Sequence, residues 1–233
     1  MTCEICNGNG LVISDQYRRP VPCPACGDWS LLIARYEKRM HDLFEWSSYR
    51  PDYTIHDFFG LEQGVAAGKE IATVIAEAWI ANPSAGLLCL AGPSGVGKTT
   101  LALAALYAVN ELDPVFWIDA EHMFRAVQRG YSDGQADARI EALERIPILL
   151  IDDLGRVGHN IASDHVSRVL RAILDVRQQQ KRPTIITTNL NEDQFSAQFD
   201  KTATTRMVRW ANGLYEFAEL NARGFCNMGG TAW

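Results

Sequence analysis

The feature that most constrains this sequence is a glycine-rich segment that follows a short apolar run. The apolar run is residues 86–91, and the segment reads Gly92-Pro93-Ser94-Gly95-Val96-Gly97-Lys98-Thr99. Glycines at these positions permit a loop whose backbone amides turn inward toward phosphate oxygens at the start of a helix. The segment therefore predicts a phosphate-binding loop between a strand and a helix.

The side chains that end this loop indicate that its ligand is ATP with Mg²⁺. Lys98 is expected to supply a positive charge to the β and γ phosphates, and the Thr99 hydroxyl is expected to bind Mg²⁺. A glycine-rich turn without a ligand is the alternative, which the strand before the loop and the helical pattern after it disfavour. The expected nucleotide contacts are Gly92, Pro93, Ser94, Gly95, Val96, Gly97, Lys98, Thr99 and Thr100.

A second apolar run, Ile148-Leu149-Leu150-Ile151, ends in the adjacent carboxylates Asp152 and Asp153. The end of a strand in a parallel sheet is the edge where ligands bind in this architecture. Asp152 is therefore predicted to bind the nucleotide's Mg²⁺ as an outer-sphere partner, and Asp153 to orient or polarise the attacking water. In the alternative interpretation, the two acids merely begin a turn.

A third strand candidate, residues 183–188, ends at Asn189. We expect the Asn189 amide to hold the attacking water between Asp153 and the γ phosphate, which makes it a predicted catalytic residue. An asparagine that closes a strand is also common as a turn or helix-cap residue. Its position in the strand order favours the catalytic role.

Strands alternate with helical patterns along most of the chain. Strand candidates are 86–91, 114–118, 147–152, 183–188 and 213–218, and helical patterns cover 29–49, 64–79, 98–111, 120–130, 135–145, 161–181 and 191–210. Such alternation predicts an α/β fold, a P-loop domain with a parallel five-stranded sheet covered by helices on both faces. We divide the chain into a small module at 1–27, a helical linker at 28–60 and an ATPase domain at 61–233.

Four of the six cysteines form two Cys-x-x-Cys pairs, Cys3 with Cys6 and Cys23 with Cys26, separated by residues 7–22. This spacing is typical of two knuckles that hold one tetrahedral zinc ion, and four thiolates leave no position for substrate, so the ion would be structural. A redox-active pair is the alternative. The buried-strand residue Cys89 is expected to pack without chemistry.

The net charge is −6, which argues against a surface that binds nucleic acid everywhere but permits a local basic stripe. Neither a long apolar span nor a signal-peptide pattern is present, so no membrane association and a cytoplasmic location are expected. The candidate DNA-facing side chains are Arg125, Arg129, Arg139 and Arg145; exposed helix charges are the alternative.

Taken with Thr187-Thr188-Asn189 and Thr205-Arg206-Met207-Val208-Arg209, these motifs resemble the AAA+ ATPases over about residues 55–225. The resemblance is nearest to the DnaC/DnaI-type replicative helicase loaders and their IstB-like relatives, and it implies a truncated helical lid. It also implies that Arg206 is an arginine finger that reaches a neighbouring subunit's nucleotide, with Arg209 as its competitor and Arg223 as a possible second sensor. A finger that acts between subunits requires a ring or helical homo-oligomer.

The resemblance implies an ATP-dependent loader that delivers a replicative DNA helicase onto single-stranded DNA. It also implies that residues 1 to about 50 bind the helicase, with Trp29, Trp46 and Tyr49 as candidate contacts. An IstB-like ATPase that selects targets for a transposase on duplex DNA is one alternative. A protein-binding module that holds ATP without hydrolysing it is the other.

Overall fold

The computed structural model describes residues 3–6, 11–13, 20–27, 29–45, 76–77, 79–82, 87–92, 94–95, 97–108, 115–155, 163–190, 192–199, 218–220 and 226–228. The helices are α1 (Trp29–Phe44), α2 (Lys98–Ala108), α3 (Ala120–Asp133), α4 (Ala136–Arg145), α5 (Ser163–Gln179) and α6 (Glu192–Gln198). The strands are β1 (Leu11–Ile13), β2 (Pro20–Pro22), β3 (Leu87–Ala91), β4 (Val115–Asp119), β5 (Ile148–Asp152), β6 (Thr184–Thr188), β7 (Ala218–Leu220) and β8 (Cys226–Met228).

The main sheet has the strand order β4-β5-β6-β3-β7-β8. The pairs from β4 to β7 are parallel, and β8 pairs with β7 in the antiparallel direction. The predicted α/β class with a parallel sheet and helices on both faces is confirmed. Because β5, β6 and β3 are neighbours in this order and run parallel, the carboxyl ends of three buried strands lie side by side.

The predicted five parallel strands are observed as β4, β5, β6, β3 and β7, and the described residues add one antiparallel edge strand, β8, that the sequence did not predict. The last predicted strand, 213–218, is observed as β7 at 218–220, and residues 213–217 lie outside the described residues. β7 and β8 are each three residues long, too short to produce an apolar run, and β8 reads only Cys-Asn-Met. The expected shortened lid also falls largely outside the described residues.

Alternate side chains of the central strands point to two cores on opposite faces of the sheet. Leu149 and Ile151 lie in the core on one face, whereas Leu150 lies in the core on the other. The first core contains side chains from α1, α3, α4, α5 and α6, and the second contains side chains from α2 and from the helical residues Ala76 and Trp79. Burial on both faces explains why these strands read as continuous apolar runs.

Helix α1, which the sequence places in the linker, is part of the first core. Met40 and Phe44 are each 1% exposed, and the Phe44 ring lies 5.6 Å from that of Phe116. At the end of α1, Arg139 Nε donates to the carbonyl of Leu43 at 2.9 Å, and His122 Nε2 donates to the carbonyl of Phe44 at 2.7 Å. These bonds satisfy carbonyls that a helix end leaves without partners within the helix.

A fully buried arginine holds the amino ends of β5 and β6. The Arg177 guanidinium donates to the Thr184 hydroxyl at 2.8 Å and to backbone carbonyls of Leu143, Ile146 and Pro183 at 2.8, 2.7 and 2.6 Å. Burial lowers the pKa of Arg177 well below its usual range, and the charge of Arg182 acts in the same direction. One side chain thus ties the end of α4 to both strands.

The strands β1 and β2 form a separate antiparallel pair with Val12 opposite Val21. Residues on either side of this pair carry the four paired cysteines. Among the helices in the ranges given above, none combines the length and apolar character needed to cross a membrane.

Candidate functional site

The glycine-rich loop lies at the carboxyl end of β3, beside the end of β6. Its first residue, Gly92, donates its backbone N–H to the carbonyl of Thr188 at 3.1 Å. Gly95 and Gly97 have φ angles of 83° and 95°, in the left-handed region that side chains other than glycine disfavour. Helix α2 begins directly after the loop at Lys98, so its amino end faces the same edge of the sheet.

Lys98, Asn189 and Asp153 form one hydrogen-bonded chain across this edge. Lys98 Nζ donates to Asn189 Oδ1 at 2.7 Å, and Asn189 Nδ2 donates to Asp153 Oδ1 at 2.5 Å. Lys98 is only 6% exposed, and burial lowers its pKa, although the charges of Asp153 and Asp152 oppose that shift. A nearly buried ammonium group beside the amino end of a helix provides strong attraction for an anion.

Asp152, the last residue of β5, lies between two hydroxyl groups. Thr99 Oγ1 donates to its carboxylate oxygens at 3.0 and 3.2 Å, and Thr187 Oγ1 donates to Oδ1 at 2.5 Å. A hydroxyl and a carboxylate in direct contact are hard oxygen donors of the kind that Mg²⁺ prefers, usually together with substrate phosphates. The donor set therefore fits Mg²⁺, with Thr99 and Asp152 as the residues that would hold it.

The chain turns sharply after β5. Asp153 has a φ angle of 53°, and the turn is bonded to β6 at three points: Asp153 N donates to Thr187 Oγ1 at 2.8 Å, Leu154 N donates to Thr187 O at 2.8 Å, and Thr188 Oγ1 donates to Leu154 O. Aspartate adopts this conformation at moderate cost when the surroundings hold it. The turn points the Asp153 carboxylate toward Asn189.

The structure thus brings together Lys98 and Thr99 of α2, Asp152 and Asp153 at the end of β5, and Asn189 at the end of β6. These three elements meet at one edge of the sheet. Thr100 follows in the first turn of α2 and is partly buried. Several other predicted site residues lie outside the described residues, and they are Pro93, Val96, Arg206, Arg209, Arg223, Trp46 and Tyr49. Trp29 is the first residue of α1.

The four paired cysteines converge in the small module. Their sulfur atoms all lie within 4.8 Å of one another, with 3.7 Å between Cys3 and Cys23 and 3.3 Å between Cys6 and Cys26. A tetrahedral zinc ion with Zn–S bonds of about 2.3 Å separates its sulfurs by about 3.8 Å. Hydrogen bonds from the backbone amides of Cys6 and Ile5 lower the pKa of Cys3 to about 6, whereas hydrogen bonds with Cys6 and Cys3 raise the pKa of Cys26. The donor set fits Zn²⁺.

Of the four arginines predicted to face DNA, Arg139 is a correction. It is 8% exposed, and its guanidinium is bonded to the carbonyl of Leu43 and to the carboxylate of Asp133 at 2.9 Å. The side chain therefore joins α4 to α1 and to the end of α3. Arg125 and Arg145 are exposed and pair with Glu121 and Glu141 of their own helices. Arg129 is exposed on α3.

Sequence reasoning missed Thr187, whose hydroxyl contacts the carboxylate of Asp152 and the backbone N–H of Asp153. A signal was present, because two consecutive threonines precede Asn189 in a strand that is buried throughout. A buried hydroxyl requires a hydrogen-bond partner. The neighbouring strand β5, which ends in two acids, supplies that partner.

A comparison with protein-family models finds one described as IstB-like ATP binding protein, which matches residues 30–209. Among curated proteins, the chain is similar to the peroxisomal Lon protease homolog 2 of Oryza sativa subsp. indica. The two are 30% identical over 101 residues, which make up 40% of this chain and 11% of that protein. The chain thus spans only a small part of the curated relatives it matches.

Three solved structures share the fold. A structure of the replication initiator DnaA bound to AMPPCP and single-stranded DNA matches with a TM-score of 0.62 at 16% identity, over 75% of this chain and 51% of that one. The DnaC helicase loader matches with 0.58 at 20%, over 72% and 95% of the two chains. DnaI matches with 0.56 at 23%, over 73% and 90%. At these identities the likeness is one of fold.

Proposed function

Because this chain belongs to the family of IstB-like ATP binding proteins, we propose that it hydrolyses the ATP it binds, and that an ATP-bound homo-oligomer loads a replicative DNA helicase onto single-stranded DNA. The observation that carries the hydrolysis is the chain of contacts from Lys98 through Asn189 to Asp153. A site that only holds ATP has no need of a carboxylate and an amide placed beside the lysine.

Each side chain has a distinct part in the proposed reaction. Lys98 neutralises charge on the β and γ phosphates, Asp153 orients and polarises the attacking water, and Asn189 holds that water toward the γ phosphate. The water oxygen forms a bond to the γ phosphorus while the bond from that phosphorus to the bridging oxygen breaks, which gives ADP and phosphate. Mg²⁺, held through Thr99 and Asp152, supplies positive charge to the phosphate oxygens when bound.

We place the homo-oligomer in the proposal because of Arg206, which the family resemblance makes an arginine finger. Such a residue stabilises charge that develops in the transition state, and it does so from a neighbouring subunit. ATP binding would then favour a ring or a helical filament of head-to-tail subunits. The cytoplasmic location expected from the sequence stays a prediction.

The role as a loader is supported by the shared fold with DnaC and DnaI, which this chain covers over 95% and 90% of their lengths. The DnaA match, a protein bound to single-stranded DNA in that structure, supports DNA as a partner. We assign helicase binding to the zinc module, whose knuckle exposes Ile5 between Cys3 and Cys6 with 58% of its surface accessible.

A second candidate is favoured by the family match itself, since the matching model is named for IstB. In that role the ATP-bound assembly would form on duplex DNA and select a target for a transposase. The ATP site would act in the same way in both roles, so only the DNA form and the protein partner separate them.

Hydrolysis is tested by phosphate release from the purified chain with ATP, Mg²⁺, single-stranded DNA and helicase. Asp153→Asn should retain nucleotide binding and lose about 10²- to 10⁴-fold in turnover, whereas Lys98→Ala should lose binding. Asp137→Asn, which alters an exposed carboxylate on α4, is the control and should match the wild type. If the wild type releases no phosphate under these conditions and Asp153→Asn behaves identically, the non-hydrolysing ATP-bound module is left as the function.

The assembly is tested by mixing two inactive variants. Arg206→Ala should bind ATP without hydrolysing it, and a mixture with Asp153→Asn should regain part of the activity, because some interfaces then combine an intact acid with an intact arginine. Without recovery, the finger would act within its own subunit or be another arginine, with Arg209 the first to test.

The role is tested by capture of partners and by DNA preference. Purified chain with ATP should retain the replicative helicase of the organism that encodes it, and should bind single-stranded DNA with an affinity that falls steeply as salt is added. Capture of a transposase together with preference for duplex DNA would replace the loader role by target selection.

A further inference from the structure

Thr187 lies one residue before the end of β6 and is 1% exposed. We propose that it is a positioning residue of the ATP site, which sets the geometry of both acids through one hydroxyl. The inference rests on the proposed hydrolysis for its kinetic consequence, whereas its consequence for Mg²⁺ can be measured on nucleotide binding alone.

The hydroxyl group of Thr187 is used in both directions. It donates its proton to Asp152 Oδ1 at 2.5 Å and accepts the backbone N–H of Asp153 at 2.8 Å. A threonine hydroxyl carries one donor and two acceptor positions, so the single proton is committed to Asp152. The two acids are therefore held by one atom of the neighbouring strand.

The Asp152 contact differs in kind from that made by Thr99. Thr99 also donates to this carboxylate, at 3.0 and 3.2 Å, but it is itself a predicted Mg²⁺ ligand. Thr187 belongs to β6 and reaches only the Oδ1 atom, so it orients the carboxylate whether or not Thr99 is engaged. Outer partners that orient a metal-binding carboxylate commonly account for 10- to 100-fold in metal affinity or activity.

The Asp153 contact fixes a backbone conformation. The φ angle of 53° at Asp153 persists because β6 bonds the turn, through the Thr187 hydroxyl and through the Thr187 carbonyl, which accepts Leu154 N–H at 2.8 Å. The same strand continues to Asn189, which donates to the Asp153 carboxylate at 2.5 Å. Loss of the hydroxyl leaves the Asp153 N–H without its acceptor and loosens the turn that aims the carboxylate.

The test compares Thr187→Val, which removes the hydroxyl at nearly constant shape, with Thr187→Ser, which keeps it. Thr184→Val is the matched control, since Thr184 is also fully buried on β6 but bonds to Arg177 at the opposite end of the strand. The affinity of each full-length protein for a fluorescent ATP analogue is measured in EDTA and across a Mg²⁺ titration, together with phosphate release and thermal unfolding.

Thr187→Val should bind the analogue in EDTA as the wild type does, require about 10- to 100-fold more Mg²⁺ for half-maximal enhancement of binding, and lose turnover by a similar factor. Thr187→Ser should restore both. Thr184→Val should lower the unfolding temperature and leave the Mg²⁺ dependence unchanged. If Thr187→Val shares the Mg²⁺ dependence of Thr184→Val, the positioning role is overturned. A wild type without turnover would reject the proposed hydrolysis, while the binding titration would still decide the role of Thr187.

Discussion

Replacement of the fully buried Arg177 by methionine is expected to destabilise this chain, because it leaves backbone carbonyls without a donor. Four of its hydrogen bonds are 2.6–2.8 Å long, and three of these go to backbone carbonyls of Leu143, Ile146 and Pro183. A buried acceptor deprived of its donor costs about 1–3 kcal/mol. The Pro183 carbonyl also accepts the Leu149 N–H at 3.2 Å, so the carbonyls of Leu143 and Ile146 are the two that lose their donor. Two such carbonyls give a gross loss of about 2–6 kcal/mol.

An opposing contribution comes from the guanidinium itself. Arg177 is 0% exposed, and desolvation of a buried charge costs several kcal/mol that methionine does not incur. We therefore expect a net loss of about 2 kcal/mol in the free energy of unfolding. Arg177→Lys should recover only part of it, because an ammonium group lacks the planar fork that reaches carbonyls of two strands and a helix end.

The measurement is urea-induced unfolding followed by circular dichroism, at fixed zinc and nucleotide concentrations. Arg168→Met is the matched control, since Arg168 is exposed on the same helix and, among the described residues, donates to the carbonyl of Asp164 at 3.3 Å. It should change the free energy by no more than about 0.5 kcal/mol. A loss below about 1 kcal/mol for Arg177→Met, with an unchanged dependence on urea, would refute the argument from unsatisfied carbonyls.

Two further outcomes are expected. Phe44→Ala should lower the free energy of unfolding by about 3–5 kcal/mol in the same urea assay, because the ring is buried against Phe116. Substitution of the exposed Lys38 by alanine is the control. Equal effects of the two substitutions would place α1 outside the core. Purified protein should contain one zinc ion per chain by atomic emission. Most of this zinc should be lost in Cys6→Ser and retained in Cys89→Ala, because the Cys89 thiol is buried in β3. Full zinc content in Cys6→Ser would reject the four-thiolate site.

The sheet could be predicted from sequence because its central strands are buried on both faces. β3, β5 and β6 are five-residue segments with every residue buried, so each appears as a short run without helical spacing. The acids and Asn189 then follow from strand ends, since parallel strands bring their carboxyl ends to one edge. The three-residue strands β7 and β8 lack such runs, and their pairing depends on contacts that no local pattern records.

Arg139 and Arg177 are charged residues whose burial was not predicted from the sequence. On α5, Arg177 continues the stripe of Leu170, Ile173 and Leu174 at helical spacing, and the structure buries it with them. Arg139 occupies the same kind of position on α4, yet its charge suggested a DNA-facing surface. Its partners, Leu43 and Asp133, include a carbonyl almost a hundred positions earlier in the chain. Only the tertiary structure supplies that contact.

The charges of the described side chains at the ATP site indicate that hydrolysis needs a further positive charge. Among the described side chains at this edge, Lys98 faces two carboxylates, so the local sum is negative before any phosphate is bound. The buried arginines described in α4 and α5 are engaged elsewhere: Arg139 bonds to α1 and to Asp133, and Arg177 lies at the amino ends of strands whose five residues span roughly 16 Å. Bound Mg²⁺ offsets part of the negative charge, but charge that develops on the γ phosphate in the transition state requires a further cation. An arginine from a neighbouring subunit would supply this missing positive charge. Because such an arginine is available only in the assembled oligomer, turnover should rise with protein concentration more steeply than ATP binding does.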